Sequence, residues 1–154
     1  MNLREKYKDK MHLLVLSTLP HYLGVLPLVY YYSDPRILYY MFVILTSTTL
    51  SVLYHNKNNF LIELFDHVLA FFWFMYDVYL GYALSYALLF KIIFCNAISF
   101  VAYQKIEIEC SREKYYIFHS GWHLLNACKS FYVSYLISLS LNSTKIHHFS
   151  QNIL

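Results

Sequence analysis

The chain has 154 residues, 58% of them hydrophobic and 20% aromatic, with 14% charged and a formal net charge of +3. One soluble domain would fit the length, but so little charge among so many apolar side chains excludes an ordinary soluble globule and points to lipid as the solvent. No solvent-facing basic surface of the kind that grips a phosphate backbone is present, which sets nucleic-acid binders aside, and the scarcity of glycine leaves no phosphate-cradling loop.

In chain order, the charged opening MNLREKYKDK looks like the start of a signal peptide, yet Pro20 and Pro27 follow it and no small-residue cleavage site does. An uncleaved first helix is expected. Nearly uncharged stretches then recur at 11–32, 37–55, 60–80, 82–104 and 115 to about 138, each near the length a helix needs to cross a bilayer. They predict an all-α, polytopic transmembrane bundle of about five spans in a single domain, 1–154. A seven-crossing reading, with 60–104 folded as shorter pieces, stays open because no charged segment divides FMYDVYLGYALSYALLFKIIF. No repeat, low-complexity tract or linker marks a second domain. Cys95, Cys110 and Cys128 show no C-x-x-C spacing, so they read as buried small side chains rather than a disulfide framework or thiolate zinc site.

Orientation follows lysine and arginine in short loops. With five spans, Arg4, Lys6, Lys8, Lys10, Lys57, Lys105, Arg112 and Lys114 share one side, against Arg36 and Lys145 on the other. The expected N-terminus is cytoplasmic, and the chain is a multi-pass protein of a membrane that the sequence does not name.

An ionisable side chain inside hydrocarbon is costly and marks a functional candidate. Three clusters stand out: TSTTLSVLYHNKNN closes the second span with Ser51 and His55, FLIELFDHVLAFFWF opens the third with Glu63, Asp66 and His67, and HSGWH opens the fifth with His119 and His123. Odd crossing numbers bring all three to one leaflet. Ser51 and His55 are i and i+4, as are His119 and His123, so each pair shares a helix face. Taken alone, H-x-x-x-H is weak among eight histidines, and Ser120 stands where a metalloprotease H-E-x-x-H requires glutamate. Together, His55, His119 and His123 have the number and type of a catalytic zinc site, leaving the fourth position for water. Asp66 would act as general base on that water, and Ser51 would donate to a developing oxyanion or orient a ligand.

The arrangement S-x-x-x-H, an Asp eleven residues later, then H-x-x-x-H at the start of the last span resembles the CREST superfamily of zinc-dependent membrane hydrolases. That group includes alkaline ceramidases, adiponectin- and progestin-receptor-like proteins and post-GPI-attachment phospholipases, with myomaker as a divergent relative. SVLYH and HSGWHLLNA look most like the branch of the post-GPI-attachment phospholipases and myomaker. The resemblance implies His55, His119 and His123 as zinc ligands, Asp66 as the carboxylate on the zinc-bound water and Ser51 behind the ligands. It implies an enzyme that cleaves an acyl ester or amide bond of a membrane lipid. The alternative is a non-enzymatic relative of the same fold, receptor-like or membrane-remodelling, with structural zinc. The family usually has seven helices, whereas about 50 residues separate Asp66 from His119 here, room for one return helix. A homodimer would restore the missing wall.

The remaining polar residues read as structural. His67 points about 100° away from Asp66 on a helix, Glu63 sits near the headgroups, His12 and His21 have no partner at ligand spacing, and His147 and His148 lie in a polar tail. Asp77, Lys91 and Lys129 fall at comparable depth in the outer halves of their spans, as interhelical ion pairs or as a site for a headgroup or carboxylate. Trp73, Trp122 and the tyrosines read as interfacial anchors and packing. A bis-histidine haem would need two ligands on facing helices near the bilayer centre, where these histidines do not lie.

Overall fold

A computed structural model describes residues 8–57, 59–109 and 112–151. The expected fold class is what is observed: every element among the described residues is helical. Helix α1, Lys8–Thr18, runs into a 3-10 segment, Leu19–Tyr31. There follow α2, Pro35–Lys57, α3, Phe60–Leu84, α4, Tyr86–Glu109, and α5, Arg112–Gln151. Arg4, Lys6 and Cys110 lie outside the described residues.

Four stretches are long and apolar enough to cross a membrane: His12–Tyr31, Pro35–Lys57, Tyr86–Ile106 and Lys114–Ser143. The expected span 60–80 forms part of the 25-residue α3 but is not among these four. Glu63, Asp66, His67 and Asp77 lower its hydropathy, and all but the last lie in its first third.

The irregular first span has a local cause. Pro20, at the start of the 3-10 segment, and Pro27, within it, lack the N–H and crowd the preceding turn, so an α-helix does not continue through them. Thirteen residues of 3-10 helix are long for this conformation. Its buried face, His21, Gly24, Leu28 and Tyr31, packs lengthwise on α5. A Cβ placed on Gly24 would lie 2.2 Å from Ser130 Oγ, so the missing side chain is what lets these two elements approach. Tyr31 donates its hydroxyl to the Ser138 carbonyl at 3.1 Å. The pairs 24–130 and 31–138 ascend together, so the first and last elements run parallel.

The turns are capped by chemistry readable in the chain. Asp34 accepts the Arg36 backbone N–H at 2.9 Å with Pro35 between them, an N-cap followed by an N1 proline. The Arg36 guanidinium, 2.7 Å from Asp34 Oδ2, holds that carboxyl below the usual carboxylate range. Asn59 caps α3 by accepting from Leu61 N at 2.9 Å. Ser85 alone joins α3 to α4, its N–H donating to Gly81 O at 3.0 Å and its Oγ accepting from Leu88 N at 3.1 Å. The expected break near residue 81 therefore falls at Ser85, because one extended residue is enough to reverse the chain.

The bundle interior is divided along its length. Leu28, Ile37, Ile44, Leu80, Ile92 and Ile137 belong to one apolar core, toward the end where the 3-10 segment finishes and α2 begins. The opposite end buries Ser47, Thr48, His55, His119, Ser120, His123 and Asn126. Large apolar side chains, among them Phe42, Phe71, Phe90 and Phe100, cover the outside, as lipid-facing positions require.

Candidate metal centre

Among the described residues, helices α2 and α5 do not pack on each other directly, and histidine side chains from the last turn of α2 and the second and third turns of α5 reach across between them. His55, His119 and His123 meet there, 7%, 6% and 4% exposed. One ligand nitrogen from each lies within 4.8 Å of the other two. His55 Nε2 and His123 Nε2 are 2.8 Å apart, and ring centroids are 4.8 Å apart for 55–123 and for 119–123 and 5.6 Å for 55–119. The three rings stand nearly perpendicular, with interplanar angles of 72° to 84°, so they converge edge-on rather than stack.

This donor set fits a metal ion. Bonds of about 2.0–2.1 Å in a tetrahedron require nitrogens about 3.3 Å apart, a spacing bracketed by the observed 2.8 Å and the 4.8 Å limit. Three imidazoles suit zinc among the common divalent cations. Among the described residues no cysteine or carboxylate belongs to this group.

Ser51, one turn before His55, faces the Asp66 carboxylate on α3. Asp66 is half-buried, with Glu63 and His67 nearby. The two proposed partners thus face each other, and neither belongs to the group of three nitrogens. His67 donates Nδ1–H to the Glu63 carbonyl at 2.7 Å, which ties it to its own helix.

Aromatic rings wall the triad. Tyr54 lies 4.9 Å from His55, Tyr115 4.9 Å from His119, and Trp122 5.3 Å and 5.1 Å from His119 and His123. Trp122 is held in turn, donating Nε1–H to the Ser99 carbonyl at 3.0 Å while Asn126 Nδ2 donates to the Trp122 carbonyl at 3.0 Å.

His21 is where reading the chain fell short. Its ring sits 5.8 Å from His123 and 6.0 Å from Trp73, and Nδ1–H donates to the Thr18 carbonyl at 2.8 Å, leaving Nε2 as the acceptor nitrogen. The signal lay in the parallel first and last spans, which bring residue 21 to the depth of residue 123.

Farther along the bundle, four helices each contribute one residue to a second polar centre. Tyr40 donates to Asp77 Oδ1 at 2.5 Å, Asn96 Nδ2 to Asp77 Oδ2 at 3.3 Å, and Lys129 Nζ to Asn96 Oδ1 at 2.8 Å. Lys129 Nζ lies 3.7 Å from Asp77 Oδ2 and 5.8 Å from the centre of the Trp73 ring. Of the three ions expected at this depth, Asp77 and Lys129 pair, while Lys91 is exposed and apart from them.

Comparison of the chain with protein-family models, with curated proteins and with solved structures finds no match.

Proposed function

We propose that the protein is a multi-pass membrane hydrolase of the CREST type, holding zinc through His55, His119 and His123 and cleaving an acyl ester or amide bond of a membrane lipid. The observation that carries this reading is the gathering of three buried imidazoles within 4.8 Å from two helices. Apart from a metal, a lipid-covered bundle has little reason to bury three neutral rings with their nitrogens together. Zinc in such a site supplies Lewis acidity and makes water acidic enough to react near neutral pH.

The protein's own groups complete the chemistry. Asp66, beside Ser51, accepts the proton of the attacking water and returns it to the leaving group. Ser51 donates its hydroxyl toward Asp66 or toward the oxygen that gains charge at the acyl carbon. The walls of Tyr54, Tyr115 and Trp122 exclude bulk water and strengthen each of these interactions. Because the lysines and arginines gather at the triad's end of the bundle, the N-terminus is cytoplasmic and the reacting bond belongs to the cytoplasmic leaflet.

A second reading, a non-enzymatic module with structural zinc, is favoured by the helix number, five α-helices and a 3-10 segment among the described residues where the hydrolases that the sequence resembles usually have seven helices. Turnover of radiolabelled phospholipid and ceramide by zinc-loaded protein, beside its Asp66→Asn variant, separates the two. Lipid cleavage lost in the variant supports the hydrolase; zinc held at one per chain with no cleavage by the wild type supports the structural module.

A further inference from the structure

The metal centre draws its three nitrogens from α2 and α5, which among the described residues do not pack on each other. The first span lies against both, through α1 and through the 3-10 segment. Its buried histidine is His21, 7% exposed. Nδ1–H of that ring donates to the Thr18 carbonyl at 2.8 Å, and Trp73 of α3 stands edge-on to it with ring centroids 6.0 Å apart. So held, His21 meets His123 at 5.8 Å with the ring planes 81° apart, an edge-to-face contact. A phenyl ring would sit in this apolar bundle at less cost, but no hydrogen bond could pin it to a backbone carbonyl. His123 is the ligand whose orientation matters most. Its centroid is 4.8 Å from both other ligand rings, and its Nε2 is the atom that approaches His55.

We propose that His21 is a positioning residue of the metal centre: pinned by Thr18, it holds the His123 ring at the angle that keeps Nε2 on the shared site. The inference rests on the triad holding a metal. His21 does not belong to the group whose nitrogens lie within 4.8 Å of one another, so its effect on the metal runs through His123. A ligand ring that must be ordered on binding loses side-chain entropy at that moment, and one already held does not. Groups that orient a metal-bound histidine from behind typically contribute about 10- to 100-fold in metal affinity. The first span thereby takes part in a site whose ligands all come from other helices.

Zinc affinity of the full chain in nanodiscs, measured by competition with a chelating dye, tests this together with the visible spectrum of the cobalt(II)-loaded protein. His21→Ala is expected to weaken zinc by at least about tenfold and to alter the cobalt band, which reports ligand geometry. His21→Phe restores a ring edge against His123 and should recover most of the loss. A merely structural role would lower the thermal midpoint of the zinc-free protein while leaving affinity and band in place, and that result overturns the proposal. So does a His21→Phe variant as weak as His21→Ala, since it would make the His21 nitrogen, rather than its ring, what the metal needs. If His21→Ala does not fold, His21→Leu, which fills the space without a flat ring, is held to the same loss. Wild type that takes up no zinc overturns the metal reading and this inference with it, whereas zinc-loaded wild type with undiminished affinity in the variants overturns this inference alone.

Discussion

His55 Nε2 and His123 Nε2 lie 2.8 Å apart, joining side chains of α2 and α5, two helices that among the described residues do not otherwise pack on each other. At that distance two bare lone pairs repel, so the pair is stable only with a proton between the nitrogens or with a cation shared by both. His119, one turn before His123 on the same face, supplies the third nitrogen within 4.8 Å. The two helices are thus joined where α2 ends and α5 begins, at the end of the bundle whose described interior is largely polar.

Metal analysis of purified wild-type protein is expected to find one zinc per chain. His119→Ala combined with His123→Ala should leave none, and His55→Ala should weaken binding by at least tenfold. Because a ligand that binds only the folded state stabilises it, chelation should lower the thermal midpoint of the wild type and not that of the double variant. Mass spectrometry of the metal and a melting curve with and without chelator are sufficient.

Asp66→Asn keeps the size of the side chain and removes its basicity. Zinc should stay stoichiometric while lipid turnover falls about 10²-fold or more, the usual contribution of a general base. Ser51→Ala should cost less, about tenfold, since it removes one hydrogen bond rather than the proton acceptor. Initial rates on zinc-loaded protein measure both.

The Asp77–Lys129 pair should behave as a buried ion pair. Lys129→Met strands the Asp77 carboxylate, and Asp77→Leu strands the ammonium; either should destabilise the fold by about 3–5 kcal/mol. Combining the two removes both charges, so the double variant should recover most of the loss. A double-mutant cycle on unfolding in detergent reads the coupling directly.

Three glycines should respond differently to alanine. At Gly24 the new Cβ would be 2.2 Å from Ser130 Oγ, and at Gly81 2.9 Å from the Leu89 Cα. Each should cost about 1–3 kcal/mol through overpacking, and Ser130→Ala should relieve the first but nothing comparable the second, where backbone is the obstacle. Gly121 has nothing within 4 Å, so Gly121→Ala should raise stability by up to about 1 kcal/mol through helix propensity. Thermal midpoints of the three variants test the order.

Much of this protein was legible before any coordinates. Composition fixes the solvent, since side chains such as Phe42, Phe71 and Phe90 can face only lipid or a core too large for 154 residues to build. The helices of the second, fourth and fifth spans follow from length and hydropathy, and the shared faces of Ser51 with His55 and of His119 with His123 from helical period.

Tertiary structure decided what depends on which helix lies against which. Periodicity states the face a residue occupies but not its neighbour, so His21 was passed over although parallel packing sets its ring 5.8 Å from His123. The same holds for Tyr40 and Asn96, ordinary residues of apolar spans until four helices bring them to Asp77. A single extended serine, Ser85, ends one helix and starts the next without any change in hydropathy to announce it. The convergence of His55, His119 and His123 was inferred from depth, but depth leaves rotation about each helix axis free. Packing removes that freedom: Gly24 seated on Ser130 fixes how α5 is turned, α2 is held against the 3-10 segment and α3, and the three imidazoles meet at one point.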